Sequence, residues 1–580
     1  MLFWVVTAYG QQHAIATNES VLLNNQKGWV PLTGLDERRI ATISRGGQEL
    51  QPLRDMLDNY AQIDHQALPA TNEGFFGLDE RLKFFNTLLF AVTERDLFDD
   101  FLLHFINSQA VGKHVVVILI GDGRLLARFN HVHVPILWVP GLDDRELKNA
   151  AMSVFGGLAC TNRLGQSYSL QYVRGHGFTT ERIRLAYADA TSAGLDQQAL
   201  EGAIDAIVAE AISERATPGA VVMAVKNGEV IFQKAYGHHT YDKVRPTHVN
   251  DIFDMASITK IAATTPVAMR LVEEGLIHLD STMGYYLMQA KNTNKADVTL
   301  REVMLHEAGF IPYIPFYRDL KKGDLRTDSS ATHSVKVADS AYIKTDYYEN
   351  VMWPVMLSSK LNARGKYVYS DISMYVIKEV AEHQTGVPIQ DYIQEQFYRP
   401  LGMKTAGYNP RQRFERGRIV PTEYDRAFRG VLLQGYVHDQ GAAMAGGIAG
   451  HAGLFASAND LAIYGQLMLN RGTYGGVQYF KPETVDLFTS KQSITSRRGL
   501  GFDRKEPGPD SQYPSLLASE ATYGHTGYTG TCIWIDPEEQ LVYIFLSNRV
   551  HPEVSPKLGD LRIRGRIQDA IYQAIRDSRY

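Results

Sequence analysis

Ser257 and Lys260 stand three residues apart in the run Asp254-Met255-Ala256-Ser257-Ile258-Thr259-Lys260, at the expected start of a long amphipathic helix. That spacing puts both side chains on one helix face. A serine hydroxyl attacks a carbonyl poorly until a neighbour takes its proton, and a partly buried amine one turn on is a candidate for that neighbour. The pair points to acyl transfer through a serine ester. Alone, the same residues also describe a plain helix start, with Ser257 as N-cap and Lys260 as an exposed first-turn lysine. Two further segments follow in order, Tyr369-Ser370-Asp371 and then His525-Thr526-Gly527. Three ordered segments of this kind are much harder to dismiss than one.

On these motifs the chain from about residue 200 onward resembles the serine β-lactamase and DD-peptidase superfamily. Tyrosine in the second motif places the resemblance in the class C-like branch, which also holds carboxylesterases and D-amino-acid peptidases. Pro218-Gly219-Ala220 before a hairpin, the run from Gly446 to Phe455, and Gly527-Tyr528-Thr529-Gly530-Thr531 extend it.

The resemblance implies roles. Ser257 is the nucleophile and Lys260 the general base or its electrostatic partner. Tyr369 directs its hydroxyl at Ser257, where phenolate character stabilised by Lys260 relays a proton to the leaving group. Asp371 stands where the family more often has asparagine. A carboxylate there pairs with Lys260 and holds it charged, which moves base duty toward Tyr369; the sequence leaves open which of the two is the base. His525 replaces the lysine common in β-lactamases, so a mostly neutral imidazole meets the substrate where a permanent cation would bind a β-lactam carboxylate. That favours an esterase or peptidase. Thr526 and Gly527 keep the strand edge beside the nucleophile, Gly527 allows close backbone approach to substrate, and the N–H groups of Tyr528 and Ser257 form the oxyanion hole.

Between Phe310 and Trp353 lies an insertion rich in aromatics, which either fills its own small core or overhangs the pocket and selects substrates. Gly450-His451-Ala452-Gly453 is read as tight packing.

The chain has 580 residues, 44% of them hydrophobic, enough for two to four domains with sizeable cores. A net charge of -5, without basic runs or zinc-type spacing, argues against nucleic acid as a partner. No metal or other cofactor is called for. Cys160 and Cys532 fall in different expected domains, so a disulfide is not favoured. The apolar start from Met1 to Ala8 lacks a basic flank and reads as a helix remnant more readily than as a signal peptide, and no stretch is long enough to span a membrane. A periplasmic or exported location rests on the family resemblance alone.

Residues 1–175 alternate strand-like and helix-like segments, with strands at 40–44, 115–120 and 134–139 and helices at 50–60, from Asp79 into Thr93, and at 143–155. This order implies an α/β sandwich around a mostly parallel sheet. The motifs Glu19-Ser20-Val21-Leu22-Leu23-Asn24-Asn25, Val30-Pro31-Leu32, Phe155-Gly156-Gly157 and Arg163-Leu164-Gly165 resemble the C-terminal α/β domain of family 3 glycoside hydrolases. In that family a TIM barrel precedes this domain and carries the nucleophilic carboxylate, and no barrel fits before residue 20. Residues 176–197 read as a linker. Residues 198–580 form the β-lactamase-like domain, an antiparallel sheet flanked by helices plus an all-helical region. A helix at 198–215 and a hairpin turning at Asn227-Gly228 open it.

The expected fold is thus α/β followed by α+β. The expected function is a metal-free serine hydrolase acting on a small ester, amide or peptide, with cell-wall-derived material suggested by analogy with the neighbouring domain. The alternative is an accessory or non-catalytic subunit of a β-N-acetylhexosaminidase-like glycosidase, docking a separately encoded barrel.

Overall fold

The strand Thr87–Thr93 is buried along its whole length, and its residues alternate between two clusters: Leu88, Phe90 and Val92 enter one, Leu89 and Ala91 the other. A strand covered on both faces belongs inside a sheet with helices on each side. The computed structural model, which describes residues 19–45, 47–97, 100–508 and 511–579, shows that sheet. Its order is Val21–Leu23, Ile136–Val139, His114–Ile120, Thr87–Thr93, Ile40–Ser44, Ile63–Ala67. All neighbours are parallel except the first pair. Helices Gln51–Tyr60 and Asp144–Phe155 cover one face, Gly74–Leu82 and Phe101–Gln109 the other. One expectation is corrected here. The helix expected from Asp79 into Thr93 ends at Leu82, and the rest is the central strand, because a fully buried strand carries no period-two signal to separate it from a helix. The stretch from Met1 to Ala8 lies outside the described residues.

The segment 176–197 is not a free tether. Ala186–Tyr187 pairs in parallel with Glu229–Gly237, and Arg184, 5% exposed, donates from Nη1 to the carbonyls of Leu32 and Phe155 at 2.7 Å each. Low periodicity in the sequence reflects a short strand and many backbone contacts.

Beyond it the chain forms a seven-stranded sheet in the order Asp503–Arg504, Tyr523–Thr526, Cys532–Asp536, Leu541–Ser547, Gly219–Lys226, Glu229–Gly237, Ala186–Tyr187. All pairs but the last are antiparallel. The expected hairpin turns at Asn227, at φ 53°, and Gly228, at φ 77°, both in the left-handed region such a turn requires. Alternation again decides the layers. Val222, Ala224 and Trp534 pack on the terminal helices Gln197–Ser213 and Ile563–Asp577, while Val221, Met223 and Ile533 face a helical region that includes the segment after Ser257. The protein is therefore a mixed α/β fold. Cys160 and Cys532 are both free and buried. Among the described residues no helix is long and apolar enough to cross a membrane.

Candidate active site

Ser257 sits on a turn pinned from both sides. Strand Phe253–Asp254 pairs with Phe455–Ala456, and the Asp254 carboxylate accepts from Ala256 N at 2.8 Å and His438 N at 2.7 Å. Ala256 is thereby held at φ 45°, a left-handed conformation that costs a residue with a Cβ roughly 1–2 kcal/mol. The strained turn presents Ser257 to the cavity. The long helix expected after it is a π-helical turn, Lys260–Thr264, leading into α-helix Thr265–Glu273. Pro266 has no N–H to give the Ala262 carbonyl, and Tyr398 Oη donates to that carbonyl at 2.8 Å instead. Such turns recur where side chains must be re-aimed at a site.

The first two motifs meet at Ser257. Lys260, fully buried, donates from Nζ to Ser257 Oγ at 2.9 Å, Asp371 Oδ1 at 2.8 Å and the His451 carbonyl at 3.2 Å. Tyr369 Oη lies 3.0 Å from Ser257 Oγ. Burial alone would lower the pKa of the Lys260 ammonium, but Asp371 and Tyr369 beside it outweigh burial and raise it. Lys260 is thus a cation. Asp371 stands at the N-terminus of helix Ile372–Thr385, and Ser370 Oγ ties its loop to the Ile311 carbonyl at 2.7 Å.

His525 does not reach Ser257. It lies behind Tyr369, with ring centroids 6.0 Å apart, and is neutral: burial first, then Arg498 and Lys260, push its pKa down to about 3. Its Nδ1 donates to the Thr526 carbonyl at 2.7 Å, and Arg498 Nη1 stands 3.4 Å from Nε2. Arg498, 4% exposed, also donates to Tyr367 Oη at 3.0 Å and lies 5.4 Å from the Tyr369 ring. No spacing rule flags this buried cation in the sequence. His306 packs 4.7 Å from the Tyr369 ring and accepts from Ser370 N at 3.3 Å; burial and then Arg498 hold it neutral.

Thr526 ends the strand Tyr523–Thr526 and Gly527 follows it, and neither lines the cavity. A Cβ on Gly527 would come 2.0 Å from Thr531 Oγ1 and 2.6 Å from the Met255 carbonyl, so this glycine admits the backbone that precedes the nucleophile. Tyr528 is half-exposed at the cavity rim. Among the described residues, neither the Ser257 nor the Tyr528 N–H has an acceptor.

The cavity at Ser257 has a volume of about 480 Å³. The aromatic insertion divides: Tyr313, Phe316 and Tyr317 line the cavity, whereas Phe310, Tyr347 and Trp353 join the core and Tyr348 donates to Glu379 at 2.8 Å. Glu423, His438 and Asp439 also line it, though nothing in their spacing marks them. The run around Gly450 both packs and contributes. A Cβ on Gly450 would lie 2.0 Å from the Met374 carbonyl, and His451 gives its carbonyl to Lys260 and its Nε2 to Asp439 Oδ1 at 2.9 Å.

Residues 204–566 match the family model described as Beta-lactamase, and the parallel-sheet unit precedes that match. A protein of Escherichia coli (strain K12) named "Putative D-alanyl-D-alanine carboxypeptidase" is 31% identical over 396 residues, covering 62% of this chain and 87% of its own length. A Salmonella gallinarum protein of the same name is 31% identical over 436 residues, covering 70% and 95%. The solved structure "EstCE1, a hydrolase with promiscuous acyltransferase activity" aligns with 18% identity and a TM-score of 0.48, over 65% of this chain and 99% of that one.

Proposed function

Because this chain belongs to the Beta-lactamase family and is a serine hydrolase of that type, we propose that Ser257 attacks the carbonyl of an ester or amide and carries the acyl group until water removes it. The observation that carries this reading is the double contact on Ser257 Oγ, with Lys260 Nζ at 2.9 Å and Tyr369 Oη at 3.0 Å. A charged Lys260 has no lone pair to accept a proton. Tyr369 as phenolate therefore takes the proton of Ser257 and returns it to the leaving oxygen or nitrogen, while Lys260 fixes both oxygens and spreads positive charge over them. Water then attacks the acyl-enzyme with the same phenolate as base, and the proton goes back to Ser257.

The free N–H groups of Ser257 and Tyr528 are our candidates for the oxyanion hole. His525 and Thr526 support the site from behind. A neutral His525 and an Arg498 already engaged by Tyr367 favour a neutral ester or a D-amino-acid peptide over a β-lactam. The shared name of the two bacterial relatives, a D-alanyl-D-alanine carboxypeptidase, agrees with a peptide substrate. We also infer that residues 1–175 are a counterpart of the family 3 glycosidase α/β domain, a reading supported by the two-sided, mostly parallel sheet.

Labelling by a neutral fluorophosphonate tests the nucleophile. The expected result is a single adduct on Ser257 that is absent in Ser257→Ala; equal labelling of both proteins would remove Ser257 from the role. Turnover of short-chain esters, D-amino-acid amides and nitrocefin then ranks the substrate classes.

A further inference from the structure

The cavity at Ser257 has a one-signed wall. Asp371, Glu423 and Asp439 line it, and among the described residues no lysine or arginine does. Lys260 lies beneath, matched by Asp371, and among the described residues Glu423 is matched only by the imidazole of His438 at 2.6 Å. Asp439 Oδ1 receives the Ala442 N–H and His451 Nε2, while Oδ2 has no donor among the described residues.

A second observation comes from a different side chain. Tyr375 is 4% exposed, lines the same cavity, and its hydroxyl has no partner among the described residues. An orphaned hydroxyl at a cavity wall calls for a ligand atom. A Cβ placed on Gly441 would sit 3.0 Å from Tyr375 Oη and 3.3 Å from Asp439 Oδ1, so hydroxyl and carboxylate share one corner. The ligand atoms of Asp371, Asp439 and His451 all lie within 4.8 Å of one another, a span one small cation bridges.

From this corner we infer that the substrate carries a primary ammonium group, which donates its three N–H bonds to Asp439, Asp371 and the Tyr375 hydroxyl. The inference rests on the proposed acyl transfer at Ser257 only for calling the ligand a substrate. An ammonium fits better than a divalent metal. Lys260 already occupies Asp371 Oδ1 at 2.8 Å and His451 Nε2 is taken by Asp439, leaving too few ligands at the roughly 2.1 Å that a metal such as zinc requires. The rings of Tyr313, Phe316 and Tyr317 on the same cavity wall favour a cation over an anion of equal size.

Ligand-observed NMR on the full chain, with n-butylammonium, n-butanol and butyrate as probes, tests this without requiring turnover. Butylammonium should bind at least about tenfold more tightly than either isostere, a difference of about 1.4 kcal/mol. Asp439→Asn should bring the three within about threefold, and Tyr375→Phe, which removes only a hydroxyl, should narrow the gap without closing it. Equal binding of all three probes by a wild-type protein whose Ser257 is labelled would overturn the ammonium site and leave the nucleophile standing. Preference for butylammonium without labelling of Ser257 would do the reverse. Tight zinc binding that displaces no butylammonium preference, because none exists, would assign the corner to a metal.

Discussion

At Lys260 a single substitution decides the chemistry. The Asp371 carboxylate, 2.8 Å away, offsets the cost of burying the ammonium and keeps it charged. In Asp371→Asn burial dominates, and the Lys260 pKa falls. The pH profile of kcat/KM for a neutral ester should then lose activity on its alkaline side at a lower pH than in the wild type; an unmoved alkaline limb would mean that the charge on Lys260 is not needed. His525 gives a second test with a defined sign. Its folded pKa, about 3, lies below the ordinary value of about 6.5, so between these values the unfolded chain binds a proton that the folded chain does not. Stability present above pH 6.5 or so is lost as pH falls toward 3, at on the order of 1 kcal/mol per pH unit from this residue. In urea unfolding, His525→Gln should therefore gain on the wild type as pH drops from about 7 to about 5. A constant difference across that range would contradict a neutral buried imidazole. The chemistry-bearing residues Ser257, Lys260, Tyr369 and Asp371 are legible in the sequence because they stand in ordered motifs that resemble those of a known family. Arg498 and Asp439 are not, since each reaches the site through tertiary contacts alone and has no neighbour in sequence that repeats a pattern.

At the scale of elements, the nucleophile turn is held by side chains that replace lost backbone bonds. Pro266 leaves the Ala262 carbonyl without its usual donor, and the Tyr398 hydroxyl supplies one. Tyr398→Phe leaves that buried carbonyl unpaired and should cost about 1–3 kcal/mol in urea unfolding, with a larger fall in activity than the loss of folded protein explains. A neutral effect on both would show that the π-helical turn does not depend on this bond. Turn chemistry and alternation made the hairpin at Asn227-Gly228 and several strands legible. Burial on both faces erases the alternation that would mark the central strand Thr87–Thr93, and a proline in a helical pattern announces a break without saying how the chain absorbs it, which hides the π-helical turn.

At the scale of the molecule, residues 184–187 join the two sheets. Leu185 belongs to the core around the nucleophile, and Ala186, the next residue, to the core of the parallel sheet. Tyr60 Oη donates to the Leu185 carbonyl at 2.7 Å, and Asn459 Nδ2 to the Asn59 carbonyl at 3.1 Å. A boundary with this many shared buried groups couples the two units. Calorimetry on the full chain should show one unfolding transition, and Arg184→Ala, which orphans two buried carbonyls, should lower its midpoint or split it. Two well-separated transitions in the wild type would show that the units unfold independently. Composition and spacing indicate two units but carry no information on how firmly they dock, because that depends on a handful of contacts between distant segments.

The account stands on a serine that becomes acylated, and the most direct measurement is mass spectrometry of the full chain, acid-quenched during turnover of a neutral p-nitrophenyl ester and digested. The predicted result is the acyl group on the peptide that contains Ser257, absent from Ser257→Ala and depleted in Tyr369→Phe. Turnover of the ester with no acylated peptide, or with the acyl group on another residue, would contradict it.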